Sequence, residues 1–266
     1  MRSERLCLNS ITLSGDLDAK LTATKNAGFT AISLWEKDLR GYPEGPQAAR
    51  SAVARHGLAV PEFLPLADWQ LTTGQGREAA FRHAEEHFDF MKSLAFDTAV
   101  VVPGLGLGTM HQAVRDLQEL ADLAAARKVR LAYEFLAWAK WQRDLKTSWD
   151  IVERADRSNL GLVIDSFHVF KGGSSLADLR EIPIERVFIV HVVDAPEREM
   201  DLIELSRHHR VFPGEGSLPL RAMVDVLREK GYDGWYAVEI FNDDYWKREP
   251  KEVAEEAMAS LIKLLR

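Results

Sequence analysis

Eight short apolar runs, each strand-length, are spaced along the chain with helical patterns between most of them, and this alternation constrains the fold more than any other feature. The runs are RLCLN (5–9), TAISLWE (30–36), LAVPEFL (58–64), DTAVVVP (97–103), VRLAYE (129–134), LGLVID (160–165), RVFIVH (186–191) and GWYAVE (234–239). They are nearly continuous in Val, Ile, Leu and aromatic residues, as expected of strands covered on both faces in a parallel sheet. Between them, DLDAKLTATKNAG (16–28) ends on a helix-terminating glycine, and EAAFRHAEEHFDFMKSLA (78–95) puts Phe81, Ala84, Phe88, Met91 and Leu94 on one stripe. HQAVRDLQELADLAAARK (111–128), LRAMVDVLREKG (220–231) and the closing VAEEAMASLIKLLR repeat that rhythm. Eight strands alternating with helices predict a (β/α)8 TIM barrel occupying residues 1–266 as a single domain. A doubly wound open sheet is the competing arrangement, but it uses fewer strands and a phosphate loop after the first.

Composition narrows what such a barrel could do. At 266 residues with 46% hydrophobic content, a large core can be filled. Thirty-four basic against 41 acidic side chains give a net charge of −7, which does not fit a sequence-independent nucleic-acid binder. No apolar run approaches a membrane span. The opening MRSERLCLNS has neither a long apolar region nor a small-residue cleavage site, so no secretory leader is expected. Cys7 is the only cysteine, which removes an intramolecular disulfide or a cysteine-rich metal site and fits a reduced, cytoplasmic setting. It reads as a small buried apolar residue.

The strand endings carry the chemistry. The fifth run ends at Glu134, the sixth at Asp165, the seventh at His191 and the eighth at Glu239. In a closed barrel these C-terminal ends are neighbours on the face where barrel enzymes work. Any one of them could be a charged residue at a solvated strand terminus. Four in succession predict a shared site, because three crowded carboxylates need a cation or protonation to coexist. Three oxygen ligands with one imidazole suit Mn²⁺, Mg²⁺ or Co²⁺, Mn²⁺ being the expected ion.

The segments AYEFLAW (132–138), NLGLVIDSFH (159–168), RVFIVHVVDAP (186–196), SRHHRVFPGEG (206–216) and VEIFNDDYW (238–246) resemble the xylose-isomerase-like barrels, also called the sugar phosphate isomerase/epimerase family. The resemblance covers nearly the whole chain and is to the branch holding inosose isomerases and 3-dehydroshikimate dehydratases. It implies that Glu134, Asp165, His191 and Glu239 are metal ligands and that Glu134 and Glu239 are also the catalytic acid/base pair. His168 matches the family's substrate-binding histidine, Arg210 matches an arginine reaching into the same site, and Ser206 joins them as a substrate contact. The implied reaction is proton removal next to the carbonyl of a small polyhydroxylated substrate. It leads to isomerisation or epimerisation of a keto-sugar or keto-inositol, or alternatively to loss of a β-hydroxyl. GGSSL (172–176) and DDYW (243–246) are closer to the inosose-isomerase type. SRHHR with PGEG resembles the dehydratase loop, in which an arginine would meet a carboxylate. Lys140 stands where some ketose epimerases carry an acidic contact.

Other signals point elsewhere or nowhere. A DNA-repair endonuclease of the same superfamily would use a three-metal cluster with more histidines. A metal-binding barrel without catalysis is the remaining alternative. His83 and His87 in HAEEH lack the zinc-protease spacing and are expected on a solvated face. PGLGLGT (103–109) is not a dinucleotide loop and reads as a tight turn. His56 and His111 show no partner in the sequence. About twenty residues are expected between His191 and the next helix, long for a barrel loop and suited to a binding loop. Trp35, Trp69, Trp138, Phe170 and Trp246 are divided between pocket lining and barrel packing or contact within a homo-oligomer.

Overall fold

Eight parallel strands, β1 (Arg5–Asn9), β2 (Ala31–Trp35), β3 (Phe63–Leu66), β4 (Thr98–Val101), β5 (Arg130–Tyr133), β6 (Leu160–Asp165), β7 (Val187–Val192) and β8 (Trp235–Val238), close in sequential order in this computed structural model. The structure describes residues 5–266. The expectation for the leader begins in the four residues that lie outside the described ones. The helices are α1 (Leu17–Asn26), α2 (Glu36–Arg40), α3 (Pro46–Arg55), α4 (Gly74–Ser93), α5 (Met110–Ala125), α6 (Leu145–Ala155), α7 (Ser166–Lys171), α8 (Leu176–Glu181), α9 (Leu202–His208), α10 (Leu220–Glu229) and α11 (Pro250–Leu265). No helix among the described residues is long and apolar enough to cross a membrane.

The barrel has two compact parts. The first contains the described residues up to Pro61, Asp165–Phe167 and Ile189–Arg266. Within it, the register Leu8↔Val238 sets Asn9 beside Glu239, and His191↔Ala237 sets the end of β7 level with β8. Thr12 accepts from the Ile240 N–H at 2.9 Å and donates to the Val238 carbonyl at 3.3 Å, which fixes the chain as it leaves β8. Lys20 and Asp38 form a nearly buried ion pair at 2.9 Å. The second part contains Glu62–Ile164 and His168–Phe188. Its registers Val101↔Tyr133 and Tyr133↔Leu162 carry Glu134 one residue past the end of β5.

Three expectations need correction. The third strand begins at Phe63, whereas the apolar run starts at residue 58. Ala59 does bridge Ala31, but Pro61 has no N–H to continue a ladder, and the strand restarts beyond it. His87 is buried, stacked on Phe63 at 5.3 Å between ring centroids, whereas His83 is exposed. The turn after His83 rotates position 87 onto the Phe81–Phe88 stripe, so the imidazole packs as an aromatic ring. The segment after β7 is not a plain loop, because α9 lies within it, started by the Asp201 carboxylate accepting from the N–H groups of Ile203 and Glu204.

Candidate active site

Asp165, His191 and Glu239 stand at the ends of β6, β7 and β8, and each is almost completely buried. Asp165 closes a strand that is buried at every position. Its Oδ1 accepts the Phe167 N–H at 2.7 Å as the chain turns directly into α7. Glu239 Oε1 accepts from Asn9 Nδ2 at 2.9 Å. Asn9 is itself held, since its Oδ1 accepts from Trp35 Nε1 at 3.0 Å and from the Ile11 N–H at 3.1 Å. His191 Nδ1 lies 3.5 Å from Glu239 Oε2 and 4.0 Å from Asp165 Oδ2.

Arg210 reaches the same oxygens. Its Nη1 donates to Asp165 Oδ2 at 3.0 Å and to Glu239 Oε2 at 3.2 Å, while Nε and Nη2 donate to Ser206 Oγ at 3.2 and 2.9 Å. The guanidinium packs over the Phe167 and Phe241 rings at 5.0 and 5.3 Å. Burial pushes the Glu239 carboxyl up, but the His191 imidazole and the Arg210 guanidinium outweigh it and hold the group below the usual carboxylate range. It is therefore ionised at neutral pH.

Glu134 belongs to this set. Glu134, Asp165, His191 and Glu239 each offer one ligand atom, and these atoms all lie within 4.8 Å of one another. Arg210 meets two of these carboxylates, Asp165 and Glu239, and carboxylates still outnumber guanidinium groups in the set, a balance that a divalent cation would offset. The donor set, hard oxygens with one imidazole, also fits such an ion.

His168 is buried on α7. Its Nδ1 accepts the Ala137 N–H at 3.2 Å, and Trp138 meets the ring edge-on at 5.0 Å. A nitrogen that accepts from an amide carries no proton, so the imidazole is neutral with its N–H on Nε2, a hydrogen-bond donor. Asp194, buried after β7, organises the loop that follows. It accepts from the Gly214 and Leu218 N–H groups at 3.0 Å each, and a Cβ at Gly216 would overlap its carboxylate. Tyr245 stacks on Phe212 at 4.4 Å and donates to Glu215 at 2.7 Å, tying this loop to the one after β8.

Among the remaining expectations, Cys7 is buried, Lys140 is exposed, and PGLGLGT is a tight loop with Gly104 against the Gln70 backbone. Trp35 and Trp138 touch site residues, Trp69 packs against Tyr133 in the core, and Trp246 donates to the Ile11 carbonyl. His56 caps α3 against the Ala52 carbonyl. Asn9 escaped the sequence reading, although the signal was present: RLCLN is an apolar run ending on a polar residue, as the fifth to eighth runs do.

A parallel barrel with ionisable side chains at its strand ends has the architecture on which α/β barrel enzymes build their sites. The chain belongs to the xylose isomerase-like TIM barrel family, whose model matches residues 21–264. It is 34% identical over 96% of its length to a 3-dehydroshikimate dehydratase of Pseudomonas aeruginosa, of which the match spans 41%. It is 32% identical over 98% of its length to an inosose isomerase of Halalkalibacterium halodurans, covering 96% of that protein. A solved xylose isomerase-like TIM barrel/4-hydroxyphenylpyruvate dioxygenase fusion protein superposes with a TM-score of 0.93 at 32% identity, over 98% of this chain and 42% of the fusion. The chain thus spans about two-fifths of the length of the dehydratase and of the fusion.

Proposed function

We propose that the protein is a divalent-metal-dependent isomerase or epimerase that removes a proton next to the carbonyl of a keto-inositol or keto-sugar. The observation that carries this is the buried group of three carboxylates and one imidazole with ligand atoms within 4.8 Å of one another. Glu134, Asp165, His191 and Glu239 would hold the ion, with Mn²⁺ as the expected metal. When bound, the ion would supply Lewis-acid stabilisation of the negative charge that builds on the carbonyl oxygen.

The chain's own residues do the rest. Glu134 and Glu239 act as the acid/base pair: the ionised Glu239 takes the proton from carbon and gives it back to the neighbouring carbon in an isomerisation, and in an epimerisation a protonated Glu134 supplies the returning proton instead. Glu239 is kept ionised by its cationic neighbours, and Asn9 holds its carboxylate plane. His168 donates from Nε2 to a substrate hydroxyl. Burial of every member keeps bulk water from competing for the proton. An uncharged polyol ketone suits the site because Arg210 is engaged by Asp165, Glu239 and Ser206.

A second reading, a 3-dehydroshikimate or inosose dehydratase, is favoured by the similarity to the P. aeruginosa dehydratase over 96% of this chain. Proton removal is shared, and the β-hydroxyl then leaves as water, taking up the abstracted proton from the glutamic acid formed in that step. One experiment separates the two. The protein with Mn²⁺ is incubated in D₂O with inososes, keto-sugars and dehydroshikimate and followed by NMR, with ultraviolet absorbance for protocatechuate. Deuterium entering an inosose or keto-sugar without water loss supports isomerisation, and protocatechuate formation supports the dehydratase. No deuterium in any substrate and no protocatechuate would remove both.

A further inference from the structure

We propose that Arg210 is a resident counter-cation that shares two carboxylate oxygens with the divalent ion and so holds ion affinity down. This rests on reading Asp165, His191 and Glu239 as ion ligands. Each of the two carboxylates has one oxygen occupied by an amide: Asp165 Oδ1 by the Phe167 N–H at 2.7 Å, Glu239 Oε1 by Asn9 Nδ2 at 2.9 Å. The other two oxygens, Asp165 Oδ2 and Glu239 Oε2, both receive Arg210 Nη1, at 3.0 and 3.2 Å. His191 Nδ1 is 4.0 and 3.5 Å from those same two atoms. The atoms directed toward an ion are therefore the ones gathered around the guanidinium.

Arg210 is also built to stay. Ser206 Oγ receives both Nε and Nη2, and the Phe167 and Phe241 rings pack against the guanidinium. Its backbone is fixed in both directions, with its N–H donating to the Phe241 carbonyl at 3.2 Å and its carbonyl accepting from Asn242 Nδ2 at 2.8 Å. A guanidinium does not lose its proton in a protein, so it cannot escape repulsion by neutralising. Ion and guanidinium coexist on shared oxygens, and the fixed positive charge weakens ion binding while keeping the carboxylates together before the ion arrives.

The test is titration of the full chain with Mn²⁺, followed by the EPR signal of the free ion, for the native protein, Arg210→Met and Arg210→Lys. Arg210→Met removes the charge at similar length and is expected to bind Mn²⁺ about tenfold tighter or more, given the strength of close charge repulsion at a buried site. Arg210→Lys, which keeps the charge, falls between. The ion-free Arg210→Met protein melts below native, and saturating Mn²⁺ closes the gap. A folded Arg210→Met protein with equal or weaker Mn²⁺ affinity overturns the proposal. Should Arg210→Met not fold, the native protein decides: the Arg210 Nε–H resonance, assigned by its loss in Arg210→Lys, follows the binding isotherm of Mg²⁺. A resonance unmoved at Mg²⁺ saturation overturns it. A native protein that binds neither ion instead refutes the ligand reading beneath it.

Discussion

Two buried polar networks stand in different parts of this barrel, and they are built from opposite materials. Beyond β3 and β5, Gln70, Tyr133 and Gln142 bond one another and the Gly104 backbone: Tyr133 donates to Gln142 at 2.9 Å, Gln142 donates to the Gly104 carbonyl at 2.9 Å, and the Gly104 N–H donates to Gln70 at 3.1 Å. Every member is neutral, and burial pushes the Tyr133 phenol further from ionising. Around Asp165, His191, Glu239 and Arg210 the network is made of charges, and carboxylates outnumber cations. A neutral network can satisfy itself and rigidify a loop. A charged one with an excess of one sign is a candidate functional site.

Neutralising one member of the charged network tests that distinction most severely. Asp165→Asn keeps an oxygen for the Phe167 N–H but removes the charge that faces Arg210. Solvent deuterium exchange into substrate is expected to fall by about three orders of magnitude, on the scale of losing electrostatic stabilisation at a reacting centre. Mn²⁺ bound per chain, measured by elemental analysis after gel filtration, should fall with it. Unchanged exchange in exhaustively chelated Asp165→Asn would end the metal reading.

His168→Ala is the next largest effect. The ring is buried and neutral, with one nitrogen committed to the Ala137 N–H. Losing its Nε2 donor should reduce kcat/KM about ten- to a hundredfold, as for a hydrogen bond to a group gaining charge. Mn²⁺ content should stay at the native level. Loss of the metal would instead make His168 a ligand.

Tyr133→Phe then probes the neutral network. It removes the donor to Gln142 Oε1 and leaves that acceptor buried. A stability loss of about 1–3 kcal/mol is expected, readable as a lower melting temperature. Mn²⁺ affinity should not change. A Tyr133→Phe protein that melts normally but binds Mn²⁺ poorly would erase the difference between the two networks.

The two networks also differed in how legible they were. The charged one announced itself because a carboxylate or imidazole directly after an unbroken apolar run is a conspicuous reversal, and it recurs at Glu134, Asp165, His191 and Glu239. The barrel followed from the same runs. Gln70 and Gln142 lie in loops with no periodicity, and Tyr133 passes as an ordinary aromatic strand residue, so nothing local marks them as partners. Arg210 was visible as a site residue, but its pairing with Asp165 and Glu239 depends on a loop whose path is set by Asp194, Asn242 and short α9. Those are contacts between distant segments, which spacing along a chain does not encode. His87 misled for a related reason: helical position 87 lies at the boundary of the apolar stripe, and packing against Phe63 decides the face.

The smallest expected effect concerns charge that is not buried. His208 and Asp243 pair at 3.0 Å on the exposed edge of the two loops beyond β7 and β8, and the Asp243 hydrogen bond raises the His208 pKa above its ordinary value. A raised folded-state pKa means that the pair's stabilisation is full below the unfolded histidine value and lost as pH rises through the folded one. Asp243→Asn should therefore move the His208 titration, followed by NMR, down toward the ordinary histidine value. Salt near 1 M, where screening acts within about 3 Å, should do much the same to the native protein. Neither change should alter Mn²⁺ affinity, because both charges are screened by water that the Arg210 guanidinium does not see. If Asp243→Asn shifted Mn²⁺ binding as far as Arg210→Met does, burial would not be what separates the functional charges from the decorative ones.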